Sequence, residues 1–302
     1  MRIANIFLAI ISILMILMLG FYWLIPTEKI VYGVENNNDN FSLEGNQVLM
    51  QFYENMRFPD SKISYSISED CNIRKKSDMR WAFDIIENET VLDFYELSNS
   101  GEILVFCEER NKVKEGLFIA GEGGPTNITK GEKFNFILNG QILLIRNSDC
   151  EKPNVAIHEL LHVLGFNHSD NPNNLMYPVS RCEQTIGKEI VEEINRLYEI
   201  PSYPDLMIRK VSAQSNGMYL DLNISIFNDG FKVVDEPRLL IFADEKEIKK
   251  TELKKMEIGR GFNIEFINIA LKKIKVEELK IKIESNQTEL SLENNEVILT
   301  KI

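Results

Sequence analysis

The first strong pattern along the chain is an apolar run. Residues 3–25 read IANIFLAIISILMILMLGFYWLI, 23 positions without a charged side chain. A helix rising about 1.5 Å per residue would cover roughly 35 Å there, enough to cross a hydrocarbon core of about 30 Å. The run leaves through Phe21, Tyr22, Trp23 and Pro26, which suit an interfacial aromatic belt better than the small-residue cleavage site of a signal peptide. Residues 1–26 are therefore expected to be a retained transmembrane helix. Arg2 before the run, against Lys29 offset by Glu28 after it, places the N-terminus inside and the rest outside. A single-pass cell-membrane protein follows, or a secreted one if the segment is cleaved near Thr27. Residues 27–46 are polar, with NNNDN at 36–40, and read as a linker.

Beyond the linker two textures alternate. Ile63 to Ile67 alternates as a strand, and Ser77 or Asp78 can cap a helix carrying Ala82, Ile85 and Ile86 on one side. Val91 to Leu97 and Ile103 to Phe106 read as strands, followed by a glycine-rich stretch at Gly121, Gly123 and Gly124. Phe134 to Leu138 and Gln141 to Ile145, parted by Asn139-Gly140, carry a strong hairpin signal. Asn154 is expected to cap a helix through about Leu164, and Ile186, Ile190, Ile194 and Leu197 stripe another that ends near Pro201. Residues 47–203 thus form an α+β domain. From residue 204 helical spacing disappears. Tyr219 to Ile226, Arg238 to Phe242, Phe262 to Ile267 and Leu279 to Ile283 alternate between polar turns, as in a small all-β sandwich over 204–302.

Charge and composition narrow the function. The 302 residues carry 34 Lys plus Arg against 46 Asp plus Glu, a formal charge of −12, which argues against any nucleic-acid partner. Residues 205–302 are nearly neutral, so the acid excess falls on the α+β part. The four cysteines, Cys71, Cys107, Cys150 and Cys182, are even in number and lie outside on the proposed topology, which favours disulfides. Three pairings are open. The expected one joins Cys71 to Cys107 and Cys150 to Cys182, because the second bridge would close the segment that holds the histidines discussed next.

All three histidines lie in one window, His158-Glu-Leu-Leu-His162-Val-Leu-Gly165-Phe-Asn-His168. His158 and His162, four apart on a helix, project from one face and can share a metal ion. Glu159 can then meet a water at that ion without being a ligand. Gly165 permits the left-handed backbone that ends the helix and lets His168 supply a third nitrogen. Three imidazoles with an open fourth position describe a catalytic zinc.

HELLHVLGFNHS followed by LMYP resembles the metzincin zinc peptidases, and Ser169 with Met176 eight residues after His168 is most similar to the matrixin branch. The resemblance implies an α/β upper part with a horizontal cleft, zinc held by His158, His162 and His168, Glu159 as general base, and Met176 in a tight turn beneath the metal. It also implies an edge strand at 116–121 (GLFIAG) to which substrate pairs, and substrate contacts from Phe118, Ile119, Ala120, Tyr177 and Pro178. Two departures stand out. No cysteine-bearing propeptide fits in residues 27–46, and Ser180 stands where the family has a wall-forming Tyr. One zinc is expected, since no histidine remains for a second site, and the acid excess leaves room for calcium without locating it.

The C-terminal stretch, with Pro204-Asp205-Leu206, Asn228-Asp229-Gly230 and Glu293-Asn294-Asn295-Glu296, resembles the cell-adhesion-related CARDB domains, an immunoglobulin-like sandwich. That implies a surface or substrate ligand, or a spacer. The expectation for the whole chain is a membrane-anchored, outward-facing zinc endopeptidase acting on proteins or peptides. A surface-binding protein that keeps the scaffold without turnover is the alternative, and the presence of Glu159 favours the enzyme.

Overall fold

The structure is a computed structural model that describes residues 10–18, 29–34, 50–109, 113–114, 117–147 and 150–301. Residues 10–18 are helical; the rest of the apolar run over 3–25 lies outside the described residues. Among the described residues no helix is long and apolar enough to cross a membrane.

The first strand, β1 (Lys29–Val34), corrects the expectation that 27–46 is wholly a linker. Its alternation sends Ile30 and the buried Tyr32 inward, and the Tyr32 hydroxyl donates to the Val276 carbonyl at 3.2 Å. Six residues that alternate this way can complete a sheet, and β1 pairs with the strands at 206–216 and 296–301.

The α+β region carries β2 (Met56–Arg57), β3 (Lys62–Ile67), α1 (Ile73–Glu89), β4 (Asp93–Glu96), β5 (Ile103–Cys107), β6 (Val113–Lys114), β7 (Leu117–Phe118), β8 (Gly121–Lys130), β9 (Asn135–Leu144), α2 (Asn154–Val163) and α3 (Lys188–Glu199). The sheet runs in the order β2-β9-β5-β3-β4 with all neighbours parallel, and β8 lies antiparallel along β9 as an edge. Helix α1 buries Met79, Ala82, Phe83 and Ile86, the i, i+3, i+4, i+7 face of an amphipathic helix. Phe83 stacks on Tyr65 of β3 at 3.9 Å, and burying a ring of that size is worth about 1.5–3 kcal/mol. The helix starts earlier than Ser77 or Asp78 because the Asn72 side chain accepts the Lys75 N–H at 2.9 Å.

Asn139-Gly140 does not turn. Residues 135–144 form one unbroken strand, and the hairpin to β8 closes instead at 131–134, where the Gly131 N–H reaches the Phe134 carbonyl. The glycine serves a close approach: a Cβ at Gly140 would sit 2.3 Å from Cγ1 of Val163 on α2.

The C-terminal region consists of β10 (Leu206–Asn216), β11 (Tyr219–Asn228), β12 (Arg238–Ala243), β13 (Lys246–Glu252), β14 (Gly261–Ala270), β15 (Glu278–Glu284) and β16 (Glu296–Lys301). Rather than two separate sheets these make one antiparallel sheet of eight strands, in the order β13-β12-β15-β16-β1-β10-β11-β14. Strand β1 joins the halves that would otherwise face each other as a sandwich, and both halves fill one core around Leu222, Ile224, Leu239, Ile281 and Leu299.

The two regions meet along a packed seam. The buried Asp229 carboxylate accepts the N–H groups of Glu132 (2.7 Å) and Lys133 (3.1 Å) at the tip of the β8–β9 hairpin. Phe134, Phe136 and Phe231 cluster beside it. The Arg57 guanidinium lies between the rings of Tyr198 and Phe231 at 4.1 and 4.0 Å while donating to the carbonyls of Leu197 and Ile200 at the end of α3.

Candidate metal centre

Helix α2 is buried from Ala156 to Val163, so its residues meet protein on nearly every side. Asn154 is its first residue, not a side-chain cap: its amide donates to the carbonyls of Arg181 and Cys182 and ties the helix start to the loop beyond the site. His158 and His162 stand one turn apart. The His158 Nδ1–H donates to the Leu175 carbonyl at 2.7 Å, and the His162 Nδ1–H to the Phe166 carbonyl at 2.8 Å. With Nδ1 protonated, both rings present a bare Nε2 lone pair.

Gly165, at φ +97°, turns the chain out of the helix. The Asn167 N–H then donates to the Met50 carbonyl, and the Asn167 side chain accepts the His168 N–H. This returns His168 to the helix, with its Nε2 at 3.3 Å from that of His158 and 3.2 Å from that of His162. Burial lowers the proton affinity of all three rings, that of His162 to about 4, so they stay neutral as metal ligation requires. Three neutral nitrogens converging so closely fit a shared cation better than one another. Among the described residues this trio is the one grouping of His, Cys, Asp or Glu that could hold an ion.

Met176, next to the Leu175 whose carbonyl holds His158, is fully buried, its N–H donated to the Asn174 side chain, which in turn donates to Glu189 of α3 at 2.7 Å. The Ser169 N–H closes the turn onto the Met176 carbonyl. The disulfides are Cys71–Cys107 and Cys150–Cys182, and the second encloses the ligands and the methionine turn together.

The Glu159 side chain lies against β8. That strand passes so near that a Cβ at Gly121 would lie 2.7 Å from the Glu159 Cγ, and one at Gly123 only 2.3 Å from its carbonyl oxygen. Burial, with a smaller contribution from Glu122, pushes the Glu159 carboxyl up to about 8. A cleft of about 650 Å³ opens over Glu159 and the three histidines, between Ile119 to Gly123 on one side and Val155 with Pro178 to Ser180 on the other.

Of the expected substrate contacts, Ile119, Ala120 and Pro178 line this cleft; Tyr177 is not among its lining residues, and the Phe118 side chain lies outside the described residues. The edge strand begins at Gly121 rather than spanning 116–121, and Ser180 lines the wall in place of the Tyr. Sequence reasoning missed the closeness of Gly121 and Gly123 to Glu159. Their cluster was visible, but only as a glycine-rich stretch with no partner assigned to it. It also missed Phe52, whose ring stacks on His162 at 5.9 Å and carries no motif.

Residues 50–197 match the family model for Astacin, a family of peptidases. This stretch is an astacin peptidase domain, hence a metzincin and a zinc-dependent metallopeptidase, with proteins or peptides as substrates. The model that matches is that of the astacins; the matrixin branch that Ser169 and the Met176 spacing suggested gains no support from it.

Proposed function

We propose that this astacin-type domain works as an endopeptidase on extended stretches of protein, outside the cell and tethered to its membrane. The observation that carries the reading is the placement of Glu159, buried beside His158 and directly beneath the free edge of β8. That edge offers backbone N–H and C=O groups to an extended chain, which would bring a peptide bond over the carboxylate. Zinc held by His158, His162 and His168 would supply Lewis-acid polarisation of the scissile carbonyl and acidification of water. Glu159 takes the proton of the attacking water and returns it to the leaving amine.

Incubating the protein with a peptide library, with and without a chelator, tests the activity. Chelation should abolish cleavage, and one zinc per chain should be found by elemental analysis. Undiminished cleavage after complete zinc removal would overturn the assignment.

Anchoring rests on the charge-free residues 3–25 and the orientation on Arg2 against Lys29. Protease added to intact cells should reach residues 27–302; complete protection would reverse the topology. The resemblance of the C-terminal region to CARDB domains, in its Asn228-Asp229-Gly230 and Glu293 to Glu296 motifs, supports a role at the cell surface.

A further inference from the structure

The C-terminal sheet has two unlike ends. Leu206, Asn228 and Gly261, at the first or last positions of β10, β11 and β14, face the peptidase seam. The same strands end on the opposite side at Asn216, Tyr219 and Ala270, and there Lys29, the first residue of β1, pairs with Asn216. The apolar run ends at Ile25, four residues before Lys29. Four Cα steps span at most about 14 Å, so wherever that run is held, the far end of the sheet is held beside it.

That end is built unlike the rest of the region. The β10–β11 turn exposes Met218 and Tyr219, at 44% and 55%, and Ile267 of β14 is 65% exposed close by, where the Asn268 N–H bonds Asp221. The Leu271 N–H donates to the Met218 carbonyl, which brings the next residues, Lys272-Lys273-Ile274-Lys275, to the same tip. All four are exposed, with Lys273 paired to Asp244 at 2.6 Å. The Tyr32 hydroxyl, bonded to the Val276 carbonyl, fixes this loop to β1. Apolar side chains set among lysines are the chemistry that suits an anionic membrane surface.

We propose that this end of the sheet rests on the anionic lipid headgroups of the membrane that holds the apolar run, and that the C-terminal region is a rigid standoff. Strand β10, eleven residues at about 3.4 Å each, sets the separation, so the cleft stands roughly 35 Å or more above the bilayer. The packed seam transmits that height to the catalytic domain. The inference rests on the proposed anchoring.

Met218→Cys supplies the probe, since the four native cysteines are paired and the position is an exposed turn. The full-length chain, labelled there with a fluorophore, is reconstituted into vesicles of phosphatidylcholine and phosphatidylserine that contain headgroup spin-labelled lipid. The label at 218 should lose more than half its fluorescence, while a label at Glu257→Cys, at the seam end, should be unchanged. Adding Lys272→Glu and Lys275→Glu should weaken the quenching at 218. Chain that floats with the vesicles but shows no quenching at 218 overturns the standoff and leaves the anchor intact. Chain that does not float overturns the anchor and the standoff together. Equal quenching in phosphatidylcholine alone overturns the assignment to anionic headgroups.

Discussion

Glu159 in the peptidase domain and Asp229 in the seam are both buried carboxylates, and burial raises both, to about 8 and about 6. Their surroundings separate them. Asp229 has an oxygen on each of two backbone N–H groups of the β8–β9 tip, so its acceptor capacity is engaged. Glu159 has no hydrogen-bond donor on its carboxylate among the described residues and opens onto a cleft beside three imidazoles. A raised proton affinity therefore marks burial in both and, on the proposed mechanism, chemistry in only one. What distinguishes the working carboxylate is unused acceptor capacity facing space for a substrate. A cation held by the trio would draw the proton affinity of Glu159 back down, whereas nothing comparable lies near Asp229.

Substitution can break this contrast. Glu159→Ala should cut hydrolysis by about 10² to 10⁴ while zinc content and melting temperature stay close to the parent. Full activity in that variant would leave the two carboxylates alike. Opening the Cys150–Cys182 loop by paired serine substitutions should cost about 3–4 kcal/mol by denaturant titration, since 32 positions separate the two residues. Zinc retention should weaken with it.

Asp229→Ala should do the reverse of Glu159→Ala. It leaves two N–H groups without an acceptor, at about 1–3 kcal/mol each, with kcat on a short peptide nearly unchanged. A large fall in kcat without loss of stability would assign Asp229 to the chemistry. The smallest effect is in pH. Asp229 titrates near 6 in the fold against an ordinary 3.8, so between those values the folded state holds the extra proton. Its contribution to stability therefore grows as the pH falls from about 6 towards about 4 and is lost as the pH rises through 6. The parent minus Asp229→Asn difference in urea midpoint should follow that slope, and a flat difference would show that the group is not shifted.

How much of this was legible in the chain depends on the range of the interaction. The histidine window, the i, i+4 spacing and Gly165 are local, and the three imidazoles they pointed to converge in the fold. The strands around Ile63, Ile103 and Tyr219 follow from alternation and stand close to where it put them. Asn139-Gly140 misled because a glycine needed for close approach to Val163 carries the same letters as a turn glycine. Strand β1 was hidden because its partners, Asn216 and Lys301 among them, lie more than 180 residues away along the chain. The seam was illegible for the same reason. Nothing near Arg57 in sequence announces Tyr198 or Phe231, and Asp229 sits in a motif that reads as a turn.

The Cys150–Cys182 bridge has a further consequence should a peptidase, on the proposed function this one included, cut the chain. Residues 170–173 form an exposed loop between His168 and Met176, well placed for a stray cut. Such a cut would part the histidine helix from the methionine turn along the backbone. Both pieces would still be held by the sulfur link, which closes the ring on the far side of the nick. Autolysis there yields a two-chain molecule with its metal ligands in register, and loss of activity on ageing should track reduction of the bridge rather than the first cleavage.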